Sequence, residues 1–207
     1  RGGLVGEDGV THHGVFDMAA FGAVPGLTIA APMNEPELRN MMYTALGSGH
    51  PFMIRYPRGH GEGLPWRGEK FETLPVGRGR RLREGADVAL LTVGTVGNAA
   101  ARAAGRAAAE GVSVAHYDLR FVKPLDEALL DEVGRKFRRV VTVEDGSLRG
   151  GVGEAVAAFF NGRGYDVRVQ RLGIGDEWVE HGTPGQLYAL CGYDEEGILR
   201  ALLDTRA

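Results

Sequence analysis

The sequence predicts an α/β protein in two unequal parts, an incomplete parallel-sheet α/β domain followed by a complete alternating α/β domain, with the boundary near residue 73. Three observations predict it. Short, continuously apolar runs such as LTIAA (27–31) and DVALLTV (87–93) have the character of strands buried on both faces of a parallel sheet. Segments with helical apolar spacing alternate with them. Between the parts, Gly59 to Pro75 is rich in Gly and Pro, carries Trp66 among charged residues, and reads as a linker.

In order, Val15 to Val24 is a short apolar pattern stopped by Pro25 and Gly26, and predicts a short helix. Leu27 to Ala31 is a strand. The next helix is capped by Asn34 with Glu37 three residues on, and Leu38, Met41, Met42, Ala45 and Leu46 recur on one face before Gly47 and Gly49 end it. Phe52 to Tyr56 is a strand ended by Pro57, completing a parallel strand–helix–strand unit that places Arg58 just past a strand end, where such units collect ligands. In the second part, Val76–Arg83, Asp87–Val93, Val112–Leu119, Val140–Glu144 and Val167–Leu172 are expected strands. Helices are expected at Val96–Glu110, which holds eight alanines, at Asp126–Phe137, around Val152 to Phe160, and at Asp194–Leu203 with Ile198, Leu199, Leu202 and Leu203 inward. Residues 74–207 therefore make a domain of ordinary size, whereas 1–73 supply only about two strands and two helices. Its missing strands are expected from another polypeptide.

Composition narrows the function classes. The 207 residues are 43% hydrophobic and 25% charged, as in an ordinary folded protein. A net charge of -3 gives no general attraction to nucleic acid or anionic membrane, and the basic run Arg78 to Arg83 is expected on a solvated strand face. The single cysteine, Cys191, excludes an internal disulfide and fits a reducing compartment, and no apolar run is long enough to span a bilayer. A cytoplasmic location is expected. The chain begins at Arg1 without an initiator Met and reads as part of something longer.

The chemistry concentrates in two stretches. GEDGVTHHGVFD (6–17) packs carboxylates, a threonine and two histidines among glycines, so that proton-handling groups sit on a backbone able to fold around a ligand. A solvated polar loop is the plainer reading of it. FMIRYPRGHGEG (52–63) ends an apolar strand in two arginines and a glycine-rich loop, an anion site in prospect. His12 and His13 lack a second ligand pair at zinc spacing, so no metal is expected. His50, His60, His116 and His181 lack a local acidic or nucleophilic constellation and are expected to be structural or exposed. Glu144 and Asp145 lie at a strand end where α/β domains bind ligands, but a turn capping the next helix is the favoured reading. Cys191 has no paired base, and neither a GxGxxG strand-to-helix turn nor a P-loop is present.

GLVGEDGVTHHGVFD (3–17), PGLTIAAPMNEPELRNMMYTAL, PFMIRYPRG, DLRFVKPLD (118–126) and EHGTPGQL (180–187) closely resemble, in collinear order, the 1-deoxy-D-xylulose-5-phosphate synthase family of thiamin-diphosphate-dependent carboligases. The resemblance implies that residues 1–73 are the end of a pyrimidine-binding domain and 74–207 a transketolase C-terminal domain. It implies ligation of pyruvate, with loss of carbon dioxide, to glyceraldehyde 3-phosphate, in a pathway to isoprenoid, thiamin and pyridoxal precursors. Asp8 and His12 match the family's substrate-contacting pair, His12 as donor to the forming alkoxide and Asp8 as substrate orienter. Arg1 and Arg58 match the arginines that hold the acceptor phosphate. The cofactor-activating glutamate and the diphosphate and magnesium ligands would lie upstream, so this chain alone is expected to be inactive and to hold no cofactor residue of its own. It would act beside an N-terminal fragment of the same protein, in a homodimer of the full enzyme. A transketolase, a pyruvate dehydrogenase beta-type subunit, or a noncatalytic dimerisation module are the alternatives.

Overall fold

The computed structural model describes residues 1–68 and 70–204. After a 3-10 turn at Gly9–Thr11 come helix α1 (Asp17–Gly22), strand β1 (Thr28–Ala30), helix α2 (Glu35–Gly47) and strand β2 (Phe52–Ile54). The second part runs β3 (Arg80–Arg83), β4 (Val88–Val93), α3 (Val96–Ala109), β5 (Val114–Asp118), β6 (Phe121–Lys123), α4 (Glu127–Lys136), β7 (Arg139–Ser147), α5 (Val152–Gly162), β8 (Arg168–Ile174), α6 (Pro184–Leu190) and α7 (Glu195–Leu203). The α/β class and the alternation follow the sequence expectation. Asn34 caps α2 by accepting from Glu37 N–H, Asp126 caps α4 and Asp194 caps α7, each locking the start of its helix.

The larger sheet has the order β3-β5-β4-β7-β8, parallel except for the edge strand β3, which is antiparallel to β5. Alternation along the strands divides its core between two faces. On one, Leu90, Val141 and Val143 meet the alanines of α3 and Ile198, Leu199 and Leu202 of α7. On the other, Ala89, Leu91 and Val140 meet Leu130 and Val133 of α4 and Val152, Val156 and Phe160 of α5. The expected strand 76–83 begins only at Arg80, because Gly77 takes a left-handed φ of +72° and Gly79 N–H is tied to Asp126 Oδ2 at 3.0 Å.

The smaller sheet departs further from expectation. Its order is β2-β1-β6: β1 and β2 are parallel, and β6, from far beyond the linker, runs antiparallel to β1. One of the strands expected from another polypeptide thus comes from this chain. The crossing is made at Arg120, whose φ of +58° turns the backbone out of β5 so that its carbonyl accepts from Ala31 N–H at 2.9 Å. An ion network secures it. Glu37 of α2 receives Arg120 bidentately, at 2.8 Å for both contacts, and Arg80 at 2.8 Å, while Arg80 also reaches Asp118 at 3.2 Å. The basic run is therefore not wholly solvated.

The inner face of α2 is also rotated from the expected one. Its buried residues are Glu37, Asn40, Met41 and Thr44, whereas Met42 is 55% and Leu46 88% exposed. The physical reason lies in the linker, whose backbone bonds to this helix: Leu74 N–H donates to Thr44 Oγ1 at 2.8 Å and Glu72 N–H to Asn40 Oδ1 at 3.3 Å. Buried polar groups with partners displace the apolar stripe.

Candidate functional site

The opening loop is closed at its base by a two-way backbone bridge between Gly3 and Gly14, 2.9 Å in each direction, and stitched to the end of β2 by Gly2 N–H to Tyr56 O at 2.9 Å. Gly14 has to be glycine, since a Cβ there would strike the Arg1 carbonyl. Inside this closed loop, Gly9–Thr11 form the 3-10 turn. The far side rests on the segment before α6: Gly9 packs on His181, and Gly6 lies against Gly182 and Pro184. That segment is rigid because Thr183 and Gln186 form a reciprocal capping box. The EHGTPGQL stretch is thus a floor for the loop.

Three of the four expected site residues come together here. Arg58 Nη1 is paired with Asp8 Oδ2, and Arg1 Nη1 stands 3.9 Å from the same oxygen. Asp8 and Arg58 are 50 residues apart in sequence, and all three side chains are partly exposed. Two guanidinium groups therefore converge on one anionic oxygen, an arrangement suited to a dianion. The fourth residue stands differently. His12, next after the 3-10 turn, has its Nδ1 2.9 Å from Thr11 Oγ1, and among the described residues it makes no hydrogen bond or ion pair with Arg1, Asp8 or Arg58. His13 Nδ1 accepts from Val5 N–H at 3.1 Å, which gives it a structural role in the loop. Arg58 also borders a cavity of about 540 Å³ walled by Asn34, Leu38, Tyr56, Thr95 and Tyr188, at the seam of the two parts.

Behind the loop lies a buried layer to which the sequence reading gave no function. Arg55, 7% exposed, donates from Nε to Asp17 Oδ2 at 2.7 Å and from Nη2 to the Asp145 carbonyl at 2.9 Å. The Asp145 carboxylate accepts from Leu4 N–H at 3.0 Å and from Tyr193 O–H at 2.8 Å. Burial pushes its carboxyl above the usual range, opposed by Arg55 and by these donors. The helix-capping reading of the Glu144–Asp145 pair holds for Glu144 alone, which accepts from Val152 and Gly153 N–H, each at 2.8 Å, at the start of α5. Burial raises Glu144 to about 7 although both amides favour its carboxylate. The Arg55 signal was weak because arginine is read as an exposed residue unless paired. Cys191 is free, and burial pushes its thiol up to about 11, well away from a reactive thiolate.

Among the described residues no three His, Cys, Asp or Glu side chains gather as a metal centre. The buried carboxylates Glu37, Asp118, Asp126, Glu144 and Asp145 are each committed to protein donors. These residues do not fit a magnesium–diphosphate anchor. No helix among the described residues is long and apolar enough to cross a membrane.

The transketolase C-terminal domain family matches residues 77–198, and the transketolase pyrimidine-binding domain family matches residues 1–62. The 1-deoxy-D-xylulose-5-phosphate synthase of Bacteroides fragilis is 56% identical over the whole of this chain, which covers 32% of that protein. Its namesake in Symbiobacterium thermophilum is 46% identical over 96% of the chain and 30% of that protein. A solved structure of a split-gene transketolase, described as an inactive beta4 tetramer, superposes with a TM-score of 0.82 at 28% identity, over 93% of this chain and 61% of that one. The chain thus spans about a third of the length of the curated relatives it matches. The resemblance carried by the opening loop and the RYPRG stretch is borne out. With 122 of its residues (77–198) matched as a transketolase C-terminal domain and the preceding part as a pyrimidine-binding domain, the chain belongs to the transketolase family.

Proposed function

We propose that this chain is the acceptor-binding part of a 1-deoxy-D-xylulose-5-phosphate synthase, which decarboxylates pyruvate and joins its two-carbon unit to glyceraldehyde 3-phosphate. Residues 1–73 are then the end of the pyrimidine-binding domain and 74–207 the C-terminal domain. The observation that carries the reading is the convergence of Arg1 and Arg58 on Asp8. An acceptor phosphate entering between the guanidinium groups takes the place now held by the Asp8 carboxylate, and gains two charge-assisted partners. Asp8, released, orients the acceptor by accepting from its hydroxyl. His12, at the exposed end of the turn, donates a proton to the aldehyde oxygen as it becomes an alkoxide. Thiamin diphosphate, when bound, supplies the nucleophilic two-carbon unit. Its diphosphate and Mg2+ are held by the N-terminal part of the protein, beyond this chain, within a cytoplasmic homodimer.

In the full-length enzyme, Arg58→Ala is expected to raise the KM for glyceraldehyde 3-phosphate at least tenfold, ~1.4 kcal/mol of lost phosphate binding, with the KM for pyruvate within twofold. Steady-state kinetics with each substrate varied in turn measures this. An unchanged acceptor KM would mean that the arginine pair serves the fold, and would favour a noncatalytic assembly role. The structural likeness to a transketolase supports a second reading, decided by whether the wild-type enzyme uses a ketose donor in place of pyruvate.

A further inference from the structure

The larger sheet has a topological switch point. From β4 the chain passes through α3 to β5 on one side, while β7 lies on the other. The C-terminal ends of β4 and β7 flank the crevice where open α/β sheets take their ligands. In this protein the crevice is already filled. Gly2, Arg55, Val93, Gly94 and Asp145 surround a residual space of only about 10 Å³. The fit depends on two glycines. A Cβ on Gly2 would press on the Arg55 guanidinium at 2.7 Å, and one on Gly3, whose φ is +79°, would collide with the Asp145 carboxylate. Leu4 completes the plug, its side chain fully buried in the core shared with α3 and α7 and its N–H held by Asp145 Oδ1 at 3.0 Å. Tyr193 O–H fixes the same oxygen from α7's side at 2.8 Å. The chain's own site loop thus occupies the position of a ligand.

We propose that Asp145 is a positioning residue for the acceptor site: by holding Gly3–Leu4 in the switch-point crevice it fixes Arg1 on one side and Asp8 on the other so that both face Arg58. The role in catalysis rests on the reading of Arg1 and Arg58 as a phosphate clamp. The second region acts on the site through one carboxylate, which also accepts from Tyr193 O–H at 2.8 Å and from Tyr188 O–H at 3.4 Å.

The test uses the full-length enzyme with Asp145→Ala, Asp145→Asn and, as a stability control, Val156→Ala in the opposite face of the sheet. Two readouts are followed, hydrogen–deuterium exchange of the Gly2–Val5 amides and the separate KM values for the two substrates. Asp145→Ala is expected to speed exchange at Gly2–Val5 at least tenfold and to raise the KM for glyceraldehyde 3-phosphate at least fivefold, with the pyruvate KM within twofold. Asp145→Asn keeps an oxygen for Leu4 N–H and is expected to recover most of both effects. Val156→Ala is expected to lower the melting temperature with neither change. Exchange within twofold of wild type in Asp145→Ala, or the same KM shift in Val156→Ala, overturns the proposal. Should Asp145→Ala not fold, Gly3→Ala pushes the loop from an intact Asp145 and must give the same pattern, its absence being equally fatal. If the wild-type enzyme forms no deoxyxylulose phosphate, the functional reading falls alone, and the exchange data still decide the positioning.

Discussion

The two sheets of this molecule are built on opposite economies. Around the larger sheet, apolar clusters cover both faces and are drawn mainly from β4, β5, β7, α3, α4, α5 and α7. The smaller sheet has a cluster of Ala30, Met41, Leu74 and Phe121, and the last two come from beyond residue 73. Meanwhile the first region places Leu4, Val15, Met18 and Ala31 into the clusters of the second. A region below the size that supports its own core has given its apolar residues to a neighbour and takes rigidity from it through buried polar contacts. The residues proposed to meet substrate all sit on the dependent side. The opening loop is positioned here by the second region, through the bond from Leu4 N–H to the Asp145 carboxylate.

The comparison breaks most directly at Glu37, which is 7% exposed in its side chain and serves two arginines of the second region. Glu37→Gln leaves Arg120 short of its charge partner in a largely buried setting, and is expected to cost about 4 kcal/mol. The loss should appear in thermal melting of the full-length enzyme as an early transition that includes the smaller sheet. A single unshifted transition would mean that the apolar contacts alone join the regions. A pH series probes the larger sheet in isolation. Burial, then Arg80 and Arg83, lower the pKa of His116 to about 4, and the ring shares a 2.9 Å contact with Thr92 Oγ1. Because the folded pKa lies below the ordinary value of about 6.5, the stability from the neutral ring is present above pH 6.5 and lost as pH falls through 4, about 3 kcal/mol in all. His116→Gln is therefore expected to flatten the fall in melting temperature between pH 6.5 and 4. A parallel curve for the variant would show that the ring titrates normally. The smallest effect belongs to Leu46, 88% exposed on the outer face of α2. Leu46→Ala in the isolated chain is expected to change stability by less than ~0.5 kcal/mol. A cost above 1 kcal/mol in the full-length enzyme, and only there, would reveal that further protein covers this face.

What was legible in the sequence follows the same division. The central strand β4 announces itself as an uninterrupted apolar run, and α3 through its alanines, because their burial is set by local pattern. Of the residues singled out in the opening loop and RYPRG, the fold brings Arg1, Asp8 and Arg58 together and leaves His12 apart. Three features were not legible. Phe121–Lys123 is too short to show a period and is a strand only because β1 presents an edge to it. The face of α2 was misread because Asn40 and Thr44 bury themselves against linker amides, a pairing no helical wheel contains. Asp145 was taken together with Glu144 as a helix-capping pair, whereas its partners lie 141 residues back at Leu4 and 48 ahead at Tyr193. Polar contacts across such separations leave no periodic trace.

The crossing strand β6 also bears on how the polypeptide would withstand being severed. Residues 58–68 and 70–73 are exposed, so a protease, or a break in the coding sequence, would meet least resistance there. Because β6 belongs by connectivity to the piece after the cut and by hydrogen bonding to the piece before it, the two fragments would still share a sheet, the Glu37–Arg120 pair and the Leu4 plug. The contacts joining the two regions therefore bypass the linker, and pieces divided at that point are expected to stay associated through them.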